Sequence, residues 1–345
     1  MNILVTGSGA LLGQGIIRSI NAIKDNSLII HAADPDYRSS GNFISNKAHK
    51  IHFANHPNYI ERIKEIIKNE NIDVILIGTD TELPILAKYK KEIESEYSVK
   101  IIVSSTDVID IANDKWKTAK FLKEKGFDYP KSVMANNLKE VIEFKKNVQF
   151  PYLAKPIDGA RSKGLLIIEN EQQLEEVIAN PQNLVIQEFL NDDSGEYTSG
   201  CIVLNGLCKS VVTLKRDLRD GNTYRAYYNN EYSKFDNFVI AVAESLKVDG
   251  PCNFQFRIKN GKPVIFEINA RFSGTTPLRF IFGFNEVEAV LSSIRSSKQN
   301  LTPILKEGMV IRAWSDIFIS EEEIIRNIQN IEIKQPKSIF YGFKI

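Results

Sequence analysis

Four short, uninterrupted apolar runs, Ile3-Leu4-Val5, Leu28-Ile29-Ile30, Val74-Ile75-Leu76-Ile77 and Ile101-Ile102-Val103, punctuate the first third of the chain, with amphipathic stretches such as residues 59–67 between them. A strand that is apolar on both faces must be covered on both, and segments of helical period supply the cover. The pattern predicts a parallel, doubly wound α/β sheet. Past Ile111 the character changes. Residues 115–122 predict a helix that Gly126 ends and Tyr129-Pro130 keeps from continuing. Residues 152–156 and 165–168 read as the arms of a hairpin whose polar tip runs through Gly164. Residues 173–179 and 235–246 read as helices, and 184–189 as extended chain. Asn205-Gly206 joins a strand over 197–204 to one over 207–214, and Asn260-Gly261 joins 253–258 to 264–268; both are strong hairpin signals. Ser320 with Glu323 offers a capping box for a last helix. The expectation is an α/β unit over residues 1–112, an α+β unit over 113–320, and a helix and tail over 321–345.

Charge narrows the partners. With 44 Lys plus Arg against 43 Asp plus Glu, the formal charge of +1 creates no global field to draw nucleic acid or an anionic membrane, so a small molecule held by a local site is expected. No apolar run reaches the roughly 18 residues a membrane span needs. The start lacks the basic flank of a signal peptide and is expected to be mature sequence. Cys201, Cys208 and Cys252 are odd in number and set among apolar residues, which fits reduced structural thiols in a cytoplasm. His31, His49, His52 and His56 have no acidic or Cys partner at ligand spacing, so no metal is expected there.

Gly7-Ser8-Gly9-Ala10-Leu11-Leu12-Gly13 follows a strand and opens a helix, with Asp34 near the end of the second strand. This invites a dinucleotide reading, pyrophosphate on the helix N-terminus and Asp34 on a ribose. The spacing departs from G-x-G-x-x-G, and no Tyr has a Lys four residues later, the pair an extended short-chain dehydrogenase needs. An NAD(P)-dependent epimerase or dehydrogenase is therefore the alternative reading. Close packing of the first helix on the sheet also explains the small residues.

A second constellation is more specific because distant parts agree. Lys155 ends a strand beside a flexible loop whose amides and Ser162 hydroxyl could fold over phosphates. Glu267, Asn269 and Arg271 occupy alternate positions and so share a face, and Gln255 lies on the preceding strand. Paired as a hairpin, these strands aim Gln255, Glu267 and Asn269 at one point, an oxygen-rich set suited to magnesium.

These residues resemble the ATP-grasp superfamily, and within it the synthetase halves of the carbamoyl-phosphate synthase large chain, over about residues 113–276. The resemblance implies an N-terminal Rossmann-like (pre-ATP-grasp) domain followed by an ATP-grasp module with a mobile lid over about 127–188. It implies ATP and magnesium, or manganese, as cofactors. Lys115 and Lys155 would be the phosphate-side cations, with Ser162 and Gly164 in the closing loop. Glu188, Phe189, Leu190 and Glu196 would contact the nucleoside, Gln255, Glu267 and Asn269 would hold metal, and Arg271 would steady phosphate. Many relatives have a carboxylate where Gln255 stands. The implied activity joins a small-molecule carboxylate, through an acyl phosphate, to an amine or ammonia; a homodimer is a family-level expectation, and a non-catalytic nucleotide-binding protein is the bland one. The chain holds one lysine-loop and one Glu-x-Asn-x-Arg element where the carbamoyl-phosphate synthase large chain has two halves, so a single ligase is expected rather than a complete synthase.

Residues 215–223 read as a strand end passing into a loop, from which Arg216 could hold a γ-phosphate or a substrate carboxylate. The amides of residues 273–277 could cradle an acyl phosphate, or merely cap a helix. Arg225, Arg279 and Arg312 are further candidates for lining the pocket, and Trp116 is expected in core or interface.

Overall fold

The computed structural model describes residues 1–159, 164–191, 194–295, 302–313, 315–329, 332–334 and 339–341, with side chains as far as 326. Its first sheet holds β1 (Asn2–Thr6), β2 (Ile29–Asp34), β3 (Lys47–Lys50), β4 (Val74–Ile77) and β5 (Lys100–Ile102), all parallel, in the order β3-β2-β1-β4-β5. Helices α1 (Leu11–Asn21), α2 (Tyr59–Glu70) and α3 (Leu83–Glu96) cover it. The order reverses at β1, so a crevice opens beyond the ends of β1 and β4. The glycines serve close packing. Gly7 takes a φ of 56°, and a Cβ on Gly13 would stand 2.2 Å from the Gly7 carbonyl oxygen.

Next, α4 (Thr106–Asn113) and α5 (Lys115–Glu124) meet at Asp114, whose Oδ1 accepts from the Trp116 and Lys117 amides at 2.8 and 3.0 Å. Beyond them β6 (Ser132–Met134), β7 (Tyr152–Pro156), β8 (Leu166–Ile168) and β9 (Leu184–Glu188) form an antiparallel sheet in the order β6-β9-β7-β8. With α6 (Leu138–Asn147) and α7 (Glu171–Ala179) it encloses a core of its own, including Val141, Phe144, Tyr152, Leu174 and Ile186.

The largest antiparallel sheet comprises β10 (Glu196–Leu204), β11 (Leu207–Arg219), β12 (Asn222–Tyr228), β13 (Gly250–Lys259), β14 (Lys262–Asn269) and β15 (Gly308–Ile311), ordered β14-β13-β10-β11-β12-β15. Asn205 and Gly206 make the β10–β11 turn with φ of 54° and 77°, as their residue types demand. Helix α8 (Asp236–Leu246) joins this sheet's core to that of the first sheet, and α9 (Thr276–Phe282) and α10 (Glu286–Arg295) pack near α1. The chain then runs through β16 (Asp316–Phe318), α11 (Glu321–Gln329), β17 (Glu332–Lys334) and β18 (Ile339–Tyr341). β17 pairs antiparallel with β3, so the end of the chain returns to the edge of the first sheet. The Glu323 amide donates to the Ser320 hydroxyl, as the capping box anticipates.

One local reading needs correction. Residues 215–223 do not pass into a loop: β11 continues to Arg219, turns at Asp220 and Gly221 with φ of 51° and 70°, and returns as β12. The cysteines, distant in sequence, meet in the core, where Cys201 faces Cys252 across β10 and β13 and contacts Cys208; all three are free thiols. Among the described residues no His, Cys, Asp and Glu grouping could hold a metal, and His31 and His49 instead form a buried pair, Nδ1 to Nε2 at 3.0 Å.

Candidate active site

Between the lid-like sheet and the large sheet lies a cleft of about 280 Å³. Lys115, Lys155, Gly159, Glu188, Phe189, Leu190, Glu196, Arg216, Gln255 and Glu267 all line it. Residues spread over more than 150 positions thus converge on one space. Lys115 is the first residue of α5, fixed by the Asp114 cap, and its Nζ donates to the Gly159 carbonyl at 2.9 Å. Lys155 points from the end of β7 over the Phe266 ring, 5.9 Å from its centroid, and is 6% exposed. Burial pushes its ammonium down to about 8 although Glu267 pulls the other way, and burial also lowers Lys115. Gly164 takes a positive φ of 76° just before β8. Ser162 lies outside the described residues.

Gln255 and Glu267 are register partners on β13 and β14, and Glu267 Oε1 accepts from Gln255 Nε2 at 3.1 Å and from Asn269 Nδ2 at 3.0 Å. The expected trio therefore meets. Arg216 stands over it: Nη2 donates to Gln255 Oε1 at 2.6 Å, while Nε donates to Glu196 Oε1 at 2.9 Å and Nη1 to the Thr223 hydroxyl at 3.3 Å. Arg271 clamps Asp80, beyond β4, through Nε at 2.7 Å and Nη2 at 3.2 Å, and donates to Asn269 Oδ1 at 2.7 Å. One carboxylate flanked by two amides fits a hard cation that arrives with phosphate oxygens rather than one caged by protein alone. Turning the two amides through 180° would present their oxygens to such an ion.

Two carboxylates that line the cleft are already engaged. Glu188 pairs with Lys259 and accepts from the Lys131 amide at 3.2 Å, and Glu196 is held by Arg216 and by Arg257 at 3.3 Å. Arg257, which the sequence did not single out, also donates to the Leu190 carbonyl at 2.8 Å. Apolar walls were missed as well: Leu153, Ile167, Leu218 and Phe266. Leu153 stands two positions from Lys155, and Leu218 two from Arg216, so strand alternation could have found them. Phe266 could not be found that way. It is the extra residue of a bulge between the pairs Gln255–Glu267 and Phe256–Ile265, which lets it and Glu267 face the same cleft.

A smaller chamber of about 120 Å³ adjoins the cleft, sharing Arg216, Gly221, Gln255 and Glu267 and bounded otherwise by Leu11, Asp80, Arg271, Gly274 and Arg312 among others. Of the three further arginines only Arg312 lines it. Arg279 is fully buried against Glu286 and Asn253, and Arg225 pairs with Asp217 on the surface. Within the 273–277 segment the Ser273 amide donates to the Thr276 hydroxyl at 3.1 Å and the Thr275 amide to the Ser273 hydroxyl at 3.2 Å, and Thr275 before α9 makes no side-chain cap. Beside the glycine-rich start, Asp34 is engaged within the protein, accepting from the Gly9 and Asp36 amides at 2.8 and 3.0 Å.

A doubly wound first sheet, a small antiparallel sheet and a large antiparallel sheet around a cationic cleft together define an ATP-grasp architecture. Family comparison agrees, matching residues 3–102 to the PylC-like N-terminal domain and 112–275 to the ATP-grasp domain. Residues 112–275 thus carry an ATP-grasp domain, as their motifs led one to expect. The chain is similar to the carbamoyl phosphate synthase large chain of Pseudothermotoga lettingae, 27% identical over an alignment of 300 positions that covers 80% of this chain and 26% of that one. The chain spans about a quarter of the length of the curated relatives it matches. Its fold is that of the N5-carboxyaminoimidazole synthetase from Staphylococcus aureus solved with ADP (TM-score 0.71, 15% identity, 88% of this chain and 79% of that chain). It is equally that of the biotin carboxylase domain of the Hydrogenobacter thermophilus 2-oxoglutarate carboxylase, a dimer solved with MgADP, ADP and bicarbonate (TM-score 0.67, 16% identity, 89% and 73%).

Proposed function

We propose that this protein is an ATP- and magnesium-dependent ligase that activates a small-molecule carboxylate as an acyl phosphate and transfers it to an amine or ammonia, releasing ADP and phosphate. The observation that carries this reading is the convergence of Lys115, Lys155, Arg216, Gln255 and Glu267 on one cleft, with Asn269 hydrogen-bonded to Glu267 behind it. A substrate carboxylate oxygen attacks the γ-phosphorus, the bond to the β,γ-bridging oxygen breaks, and ADP leaves. The amine lone pair then attacks the acyl carbon, the bond to phosphate breaks, and the amine gives up a proton.

Each residue has a place in this scheme. Residues 188–190 and Glu196 flank the nucleoside between Leu153 and Phe266, while Lys115 and Lys155 meet the phosphates and Ser162 and Gly164 belong to the loop that closes over them. Gln255, Glu267 and Asn269 hold magnesium or manganese, which when bound neutralises phosphoryl charge. Arg216 and Arg271 stabilise the transferring group, and the lid excludes water from the acyl phosphate. Small-molecule substrates suit chambers of this size. The dimer noted for the biotin carboxylase domain motivates a homodimer here, which sedimentation would test. No described helix is long and apolar enough to cross a membrane.

Thermal unfolding of wild type and Lys155→Ala with Mg-ATP, Mg-ADP, NAD and NADP tests the reading. Mg-adenine nucleotide should raise a transition, by about 2.7 kcal/mol at a hundred times its Kd, and Lys155→Ala should weaken the rise. A response to NAD or NADP alone would return the site to the glycine-rich start.

A further inference from the structure

Arg312 brings a positive charge into the smaller chamber, whose two carboxylates are taken up elsewhere, Asp80 by Arg271 and Glu267 by Gln255 and Asn269. Its Nε donates to the Thr223 carbonyl at 3.1 Å and its Nη2 to the Gly274 carbonyl at 2.5 Å, contacts that fix the guanidinium without cancelling its charge. Among the described residues no carboxylate lies within ion-pair distance of it. The charged neighbour close enough to act on it is a second cation, Arg18 of α1, which is exposed and likewise has no described acidic partner. The chamber's other guanidiniums are neutralised, Arg216 by Glu196 and Arg271 by Asp80. A half-buried, unmatched guanidinium beside another cation costs stability unless an anion arrives with a ligand. Its planar fork suits a carboxylate.

Position says which carboxylate. Arg216, Gln255 and Glu267 are shared with the nucleotide cleft and mark the end where a phosphoryl group would arrive; Arg312, Gly274 and Leu11 belong to the chamber alone. An anion on Arg312 is thus held away from the shared wall. We propose that Arg312 anchors a substrate carboxylate that is not phosphorylated. The substrate class is then a small molecule that keeps a free carboxylate through the reaction, as an amino acid does. This rests on the ligase reading above and deepens it.

The test measures ADP release from Mg-ATP with each proteinogenic amino acid, its C-terminal amide, succinate and glutarate. Wild type is compared with Arg312→Gln and Arg312→Lys, and Mg-ATP affinity is measured alongside. At least one free acid should stimulate release far better than its amide. Arg312→Gln should raise that acid's KM by about 10- to 100-fold, the span expected for a charge-assisted hydrogen-bonding group, and shrink the acid-to-amide preference. Arg312→Lys should recover part of it. A structural role would not move the acid-to-amide ratio, and wild type alone reports that ratio if a variant fails to fold. Lys155-dependent Mg-ATP binding with no response to any of these acids, or an acid-to-amide ratio unchanged in Arg312→Gln, overturns the anchor and leaves the ligase reading standing. Absence of Lys155-dependent Mg-ATP binding removes both.

Discussion

Lys155 is 6% exposed, and burial sets its ammonium at about 8 against an ordinary 10.5. Both folded and unfolded chains are protonated below pH 8, so the full penalty of burying the charge is present at neutral pH, and stability rises as pH climbs from 8 to 10.5. Replacing it by an apolar side chain of similar shape, Lys155→Met, should therefore stabilise the unliganded protein at pH 7, by on the order of 2 kcal/mol, while abolishing most Mg-ATP binding. Denaturant melts with and without nucleotide check this; a less stable unliganded variant would mean that the lysine serves the fold. A second consequence concerns binding itself. Phosphates favour the charged form, so above pH 8 wild type should take up a proton, approaching one per nucleotide bound, and calorimetry in buffers of differing ionisation enthalpy would count it. Lys155→Arg stays charged throughout and should lose that uptake.

Among the elements, the edge of the first sheet is the most pH-sensitive. His31 on β2 and His49 on β3 are each 1% exposed, and burial lowers them to about 4 and about 3 from 6.5, despite the Glu70 carboxylate; Lys47, paired with Glu70, opposes their protonation. Unfolded chain binds these protons first, so the pair's stability is intact above pH 6.5 and drains away as pH falls toward 4. Urea unfolding at pH 6.5, 5.5 and 4.5 should show a loss on the order of 2–3 kcal/mol that is reduced in His31→Gln. On the other side of β1, Gly13→Ala drives a methyl group to 2.2 Å from the Gly7 carbonyl and should cost about 2 kcal/mol or more in the same assay. That contact was legible, since glycine spacing after an apolar run means close packing whether or not a ligand follows. So were β1, β4 and the Asn-Gly hairpins, where residue type dictates geometry. β3 was not, because Lys47-Ala48-His49-Lys50 carries no apolar run and is a strand only because β2 lies beside it. The trio of Gln255, Glu267 and Asn269 followed from alternation, whereas Phe266 and Arg257 depend on a bulge and a cross-strand register that no single segment encodes.

For the molecule as a whole, the distribution of core residues decides what can move. The first and largest sheets share apolar clusters: Leu4, Ile75 and Ile101 lie in one with Phe254 and Ile268, and Ile3 and Val5 in another with Ile202 and Phe272. These two units should unfold as one. The sheet of β6–β9 has a core drawn wholly from residues 133–186. A core that small is marginal alone. Its ties to the rest include the Lys115 amide and Nζ on the carbonyls of Ile157 and Gly159, both at 2.9 Å, and the Glu188–Lys259 ion pair, which is partly exposed and weak. Sub-global opening should therefore cost less than global unfolding for this sheet alone. Native-state hydrogen exchange should show β6–β9 amides exchanging by a lower-energy opening than those of β1, β4, β10 and β13. Mg-ADP bridging Lys155 on one side and Glu267 on the other should raise protection of β6–β9 toward the global value, and Lys155→Met should abolish that rise. Equal protection in all three sheets without nucleotide would show that the small sheet does not open independently of the rest.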